Sequence, residues 1–194
     1  MSVRRVKIVL VCEDKQQEAF TRRFLQGMGW NTRELRVEKS PSARGSAEQW
    51  VRERFLVELM AYRQRKKKAA SGLIVMIDAD TNEVRDRINQ FKKACKKKQI
   101  QFIEDNDSVA IVVPKRNIET WIHYLTGQPV NERDTYTKFE RERDCQPAVE
   151  NLVGLCKSKG LEPDAPASLL AACNEYKARI MILIAPRASR DAKP

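Results

Sequence analysis

Residues 6–20, "VKIVLVCEDKQQEAF", run from apolar side chains straight into acids and then into a helical pattern. The run Val6 to Val11, apolar but for Lys7, reads as a buried strand. Cys12, Glu13 and Asp14 follow it at once. The stretch "GLIVMIDADTNEV" at 72–84 repeats the arrangement, with a strand over 73–77 followed by Asp78 and Asp80. A chain of formal net charge +11 that sets carboxylates at the ends of two buried strands needs a reason for doing so.

Outward from these two stretches, apolar strands alternate with amphipathic helices. "KQQEAFTRRFLQGMG" reads as a helix with Phe20, Phe24 and Met28 on one face, and "RELRVEK" reads as a strand. "SPSARGS" is a loop, and "SAEQ" at 46–49 fits a capping box that opens a helix through about Lys68. Trp50, Phe55, Leu56, Leu59 and Met60 form the apolar stripe of that helix. "NEVRDRINQFKKACKKK" reads as a further helix, "IQFIE" and "VAIVVP" as strands, and "NIETWIHYLTG" as a short helix closed by Gly127. Alternation of this kind predicts an α/β fold with a mostly parallel, Rossmann-like sheet covered by helices on both faces.

After Gly127 the pattern changes. Residues 1–127 are expected to form the α/β domain, and 128–184 a polar insertion (128–147) plus a small helical appendage packed on it. Helices are expected over 147–159 and from 167 to about 184, and the tail 185–194 reads as disordered. At 194 residues the chain is long enough to bury a core without metal or disulfide. The five cysteines are odd in number and contain no C-x-x-C pair, which favours a reducing, cytoplasmic setting over a zinc site or disulfide framework. No apolar run approaches the roughly 18 residues needed to span a bilayer. The excess of Lys and Arg favours a polyanionic partner, nucleic acid before membrane.

In an open α/β sheet, ligands sit beyond the carboxyl ends of the strands. Glu13, Asp78 and Asp80 fall there, and in extended backbone Asp78 and Asp80 point to one face while Ala79 points away. Carboxylates converging at one edge repel unless a cation lies among them, and oxygen-only ligands suit Mg²⁺ or Mn²⁺. A divalent ion at such a place clamps phosphate and activates water. Each piece alone has a plainer reading, since "DAD" after a strand is also a common solvated, helix-capping turn.

Together, "IVLVCEDKQQEAF" and "LIVMIDAD" resemble the Toprim domain, the fold of topoisomerases, bacterial primases and the OLD (overcoming lysogenization defect) class of nucleases. The family pattern is a strand ending in Glu and a later strand ending in Asp-x-Asp, matched here by Glu13, Asp78 and Asp80 over roughly residues 5–125. Asp14 stands where the family has Gly, and Gln17 stands where it often has an acid, with Glu18 adjacent as a substitute metal ligand. "VPKRNIETWIHYL" is similar to a segment of small stand-alone OLD-like Toprim proteins. On that match Glu119 is a second-metal or water-positioning ligand and Lys115 neutralises transition-state charge. The plainer alternatives are a first-turn glutamate favoured by the helix dipole and simple phosphate contacts or solvated side chains. The resemblance implies a Mg²⁺- or Mn²⁺-dependent nuclease in a prokaryotic, antiviral defence setting, with an ATPase supplied by a separate partner subunit. The alternatives are a non-catalytic nucleic-acid-binding or assembly subunit, or an RNA-processing relative.

His123 is the only histidine and sits between apolar residues, so it reads as structural. No G-x-x-x-x-G-K-[ST] loop occurs. Tyr62, Tyr124 and Tyr136 offer no stacking platform. Nucleic-acid contacts are expected from Arg44, Lys115 and Arg116 near the carboxylate rim. The basic runs 63–68 and 92–98 each end a helix before a strand, which places them at the opposite rim, where solvated helix ends are the competing reading. DNA or RNA as substrate, and the oligomeric state, stay open on the sequence.

Overall fold

The computed structural model describes residues 6–41, 46–158 and 160–184. Strand β1 (Lys7–Cys12) sends Ile8, Leu10 and Cys12 into one apolar layer and Val9 and Val11 into another. β2 (Arg36–Lys39), β3 (Ser71–Met76) and β4 (Val109–Val112) complete a four-stranded sheet of order β2-β1-β3-β4. Every pairing is parallel, with Leu10 aligned to Val37 on one side and to Ile74 on the other, and Ile74 to Ala110. β3 from Leu73 onward and β4 alternate between the two layers as β1 does, which is why those runs carry no polar positions.

Helices α1 (Lys15–Gly27), α4 (Ile118–Leu125), α5 (Gln146–Lys157) and α6 (Ala167–Arg179) cover the first face. Phe20, Phe24, Trp121, Leu152, Leu169 and Tyr176 fill that layer. α1 and α5 approach closely at Gly27, where a Cβ would lie 2.6 Å from a Val153 methyl. Helices α2 (Ala47–Lys66) and α3 (Val84–Lys97) cover the second face, with Phe55 and Phe91 meeting edge to face at 5.0 Å. The C-terminal helices share the first core with the sheet. The Trp30 indole donates to the Tyr176 hydroxyl (2.9 Å), and the Trp121 indole donates to Ser168 Oγ (2.7 Å).

Several expectations need correction. Residues 100–104 form no strand: the Gln101 and Phe102 carbonyls accept from the Arg63 guanidinium, and Phe102 and Ile103 plug the second core instead. The buried stripe of α2 is Val51, Phe55, Leu56, Leu59 and Tyr62, whereas Met60 is exposed, because the sheet-facing residues recur at 51, 55, 59 and 62. Segment 128–145 is irregular apart from one 3-10 turn (Glu142–Cys145), but it is no mere surface insertion, since Phe139 packs on the first core and Cys145 is buried. α5 ends at Lys157 and α6 at Arg179, followed by a 3-10 turn over Met181–Leu183. The expected helix end at 159 and the tail 185–194 lie outside the described residues. The five cysteines are free thiols. Among the described residues no helix is long and apolar enough to cross a membrane.

Candidate functional site

Strand order decides which acids meet. The chain leaves β1 in one direction to form β2 and returns across it to form β3, so a crevice opens beyond the carboxyl ends of β1 and β3. Glu13 follows β1 directly, and its Oε2 accepts the backbone N–H of Asp78 at 2.6 Å. The two acids that the sequence places at separate strand ends are thus joined across the β1–β3 seam.

The two departures from the Toprim pattern have defined tasks. Asp14 caps α1, with Oδ1 accepting from the Gln17 N–H at 2.9 Å. Gln17 is fully buried and clamps Glu13 at both ends: its Oε1 accepts from the Glu13 N–H (2.9 Å), and its Nε2 donates to Glu13 Oε2 (3.1 Å). An acid at 17 would face Glu13 without being able to donate to it.

Glu119 enters from the first turn of α4 and is only 1 % exposed. Neither of its carboxylate oxygens has a hydrogen-bond partner, and Asp78 Oδ1 is likewise buried and unpartnered. Burial raises the Asp78 pKa well above the ordinary carboxylate range, and the charges of Glu13, Glu119 and Asp14 push it further. Burial also raises Glu13, against the pull of the Asp78 N–H and the Gln17 amide. Burial raises Glu119 too, with Lys138 opposing. Three acids therefore share one poorly solvated region with too few donors, the condition that a hard cation relieves. Glu13 and Glu119 border a cleft of about 480 Å³ whose other walls include Asp14, Lys39, Lys138 and Phe139, while Asp78 sits behind Glu13 and does not line it.

Other expected site residues lie differently. Asp80 is not extended: its φ is +52°, it pairs antiparallel with Arg116, and its exposed carboxylate bonds Arg87 Nη2 at 3.1 Å. The alternation that would align it with Asp78 fails there, although its charge still reaches Glu13. Arg87 is fully buried and also holds Glu48 and the Ala79 carbonyl, so it fixes Asp80 from behind. Burial alone would raise Glu18, but hydrogen bonds from Lys39 (2.8 Å) and Arg22 (3.2 Å) prevail and lower it. Lys115 Nζ turns to the Asn82 carbonyl and Glu83, and Arg116 bonds the Asp80 carbonyl and Thr135. Arg44 lies outside the described residues. Among the described residues no three His, Cys, Asp or Glu side chains stand close enough to form a metal-holding group. His123 contacts the Tyr136 and Phe139 rings in tilted geometry, each centroid at 5.3 Å, and its Nδ1 meets Gln128 Oε1 at 2.6 Å.

Lys138 was missed by sequence reading. It comes from the irregular 128–145 segment, its Nζ lies 3.3 Å from Asp14 Oδ2, and the acids around it raise its pKa although burial opposes this. Nothing in "YTKFERERD" marks it, because its place depends on a connection between α4 and α5 that carries no periodicity.

The raised acids set a pH dependence. Between the ordinary carboxylate value near 4 and the raised folded-state values, the folded protein binds more protons than the unfolded chain, so stability falls as pH rises through that window. Melting in EDTA from about pH 5 to 8 is expected to show a Tm decline that Asp78→Asn flattens. A decline of the same size in that variant would mean that other groups cause it.

No protein-family model, curated protein or solved structure matches the chain at a significant level.

Proposed function

We propose that this protein is a divalent-metal-dependent phosphodiesterase acting on nucleic acid, of the Toprim kind. The observation that carries the reading is the contact of Glu13 with the Asp78 backbone, with the charge of Glu119 reaching Asp78 and with buried, unpartnered oxygens on Asp78 and Glu119. Hard oxygen donors short of hydrogen bonds, whose ionised forms need a compensating positive charge, fit Mg²⁺ or Mn²⁺ in charge and ligand type. Such an ion, when bound, supplies Lewis-acid stabilisation of the phosphoryl oxygens. Glu13, Asp78 and Glu119 would hold it, and Asp80 would join them only after leaving Arg87.

The remaining groups of the cleft have roles that follow from placement. Gln17 keeps Glu13 oriented. Glu13, held with a raised pKa, is suited to take a proton from an attacking water. Lys39 and Lys138 line the cleft and would meet phosphate charge on turning from Glu18 and Asp14, whereas Lys115 and Arg116 do not line it.

One observation favours a second reading, that of a non-catalytic nucleic-acid binder. Asp80 is tied to Arg87, and the acids do not form a closed ligand group. The two are separated by incubating the protein with labelled single-stranded DNA, duplex DNA and structured RNA in Mg²⁺, Mn²⁺ or EDTA, with melting curves in parallel. The nuclease reading expects cleavage of at least one substrate that EDTA abolishes, and a Tm rise with Mn²⁺, as any ligand of the folded state produces. Absence of both would discard it.

A further inference from the structure

The basic runs at 63–68 and 92–98 are separate in sequence, but the fold unites them. Glu48 of α2 meets Arg87 of α3, Arg52 meets Gln90, Phe55 meets Phe91, and Arg63 reaches the carbonyls of 101 and 102 just past α3. Contacts in that order mean that α2 and α3 run parallel, so both basic ends reach the amino-terminal rim of the sheet. Glu13 and Asp78 lie at the other rim.

The charge collected there is most of what the chain carries in excess. The two runs hold ten of the 37 Lys and Arg; without them 27 basic residues would face 26 acidic ones, a formal charge of +1 instead of +11. Internal pairing uses only part of it. Arg63 and Lys66 neutralise the buried Asp107, and Arg65 lies 3.7 Å from Glu58. Lys67, Lys68, Lys96, Lys97 and Lys98 are exposed, and none makes an ion pair among the described residues. Lysines at a helix end gain a few tenths of a kcal/mol from the dipole, too little to account for five unpaired charges on two adjacent helix ends.

We propose that this rim is a second nucleic-acid contact surface, remote from the carboxylate cleft, on which the two lysine rows grip phosphates on either side of a duplex groove. Packed helices lie about 8–10 Å apart, the scale of a major groove about 12 Å wide. α2 and α3 turn their apolar residues inward here, with Leu59, Phe91 and Cys95 buried, so the rim offers charge and no wedge. Exposed Met181, Ile182 and Ile184, just past the end of α6, are the feature of the described residues that an anionic membrane would use instead. The surface does not depend on the cleft being catalytic.

The test is binding to a fluorescein-labelled DNA duplex of about 30 base pairs, read by anisotropy in EDTA over a NaCl series, so that neither cleavage nor metal enters. The variant combining K67Q, K68Q, K96Q, K97Q and K98Q alters only exposed side chains, and an unchanged Tm certifies its fold. It is expected to bind at least tenfold more weakly, with a salt slope shallower by about 2 to 4, whereas the five Lys→Arg changes retain binding. Phosphatidylserine vesicles serve as the competing ligand. Wild-type affinity and slope in the Gln variant, or binding to vesicles and not to duplex, would overturn the proposal.

Discussion

Asp78→Asn is expected to abolish divalent-dependent cleavage while making the metal-free protein more stable. The substitution keeps the volume and removes the charge. Asp78 Oδ1 is buried without a partner, and the charges of Glu13 and Glu119 act against ionisation. Ionising this side chain therefore destabilises the folded state in the absence of a cation, and an amide relieves that by about 1 kcal/mol at neutral pH. The same change removes an anionic ligand and should lower the rate by about a thousandfold or more, the scale associated with losing a principal electrostatic contributor. Melting curves in EDTA and with Mn²⁺, alongside cleavage, give three readouts. A variant with a lower Tm in EDTA, or with undiminished cleavage, would show that Asp78 has a structural role only.

Trp121→Ala is expected to cause the largest loss of stability of any single change in α4. Trp121 is among the largest fully buried side chains, packs against Phe20, and donates to Ser168 Oγ, which also accepts from the Lys115 N–H at 3.1 Å. Emptying that volume costs about 3–5 kcal/mol. At this chain length that is a Tm fall of roughly 10 °C, measurable by calorimetry. Since Glu119 lies two residues earlier on the same helix, the Mn²⁺-dependent Tm rise should shrink as well. Trp121→Phe keeps most of the packing and should lose about half as much. A fall under about 1 kcal/mol for the alanine variant would mean that α4 is held by other contacts.

Much of the fold was legible because burial on both faces leaves the central residues of β1, β3 and β4 apolar. "IVLVC" and "LIVM" could be read without knowing what covers them. The meeting of Glu13 and Asp78 was legible too, since it follows from parallel strands and from where the acids fall on them. Asp80 was not. Its left-handed backbone is imposed by pairing with Arg116, 36 residues further on, and by the buried Arg87, neither of which shows in "DAD". "IQFIE" has the composition of a strand, but Arg63 takes its carbonyls, a side-chain competition that local pattern does not record. Lys138 needed the path of an aperiodic connection. The resemblance to Toprim proteins rests on three acids and their order, so its weight lies in the chemistry of those acids.

The link between Trp30 and Tyr176 has a consequence for biosynthesis. The sheet and its acids are synthesised before α6, yet the apolar layer holding Phe24 and Trp121 is closed by Leu169 and Tyr176 of that later helix. Until α6 clears the ribosome, the nascent chain presents an uncovered greasy flank, a natural substrate for chaperones. Stalled or truncated products should be cleared by proteolysis rather than persist as partly active fragments.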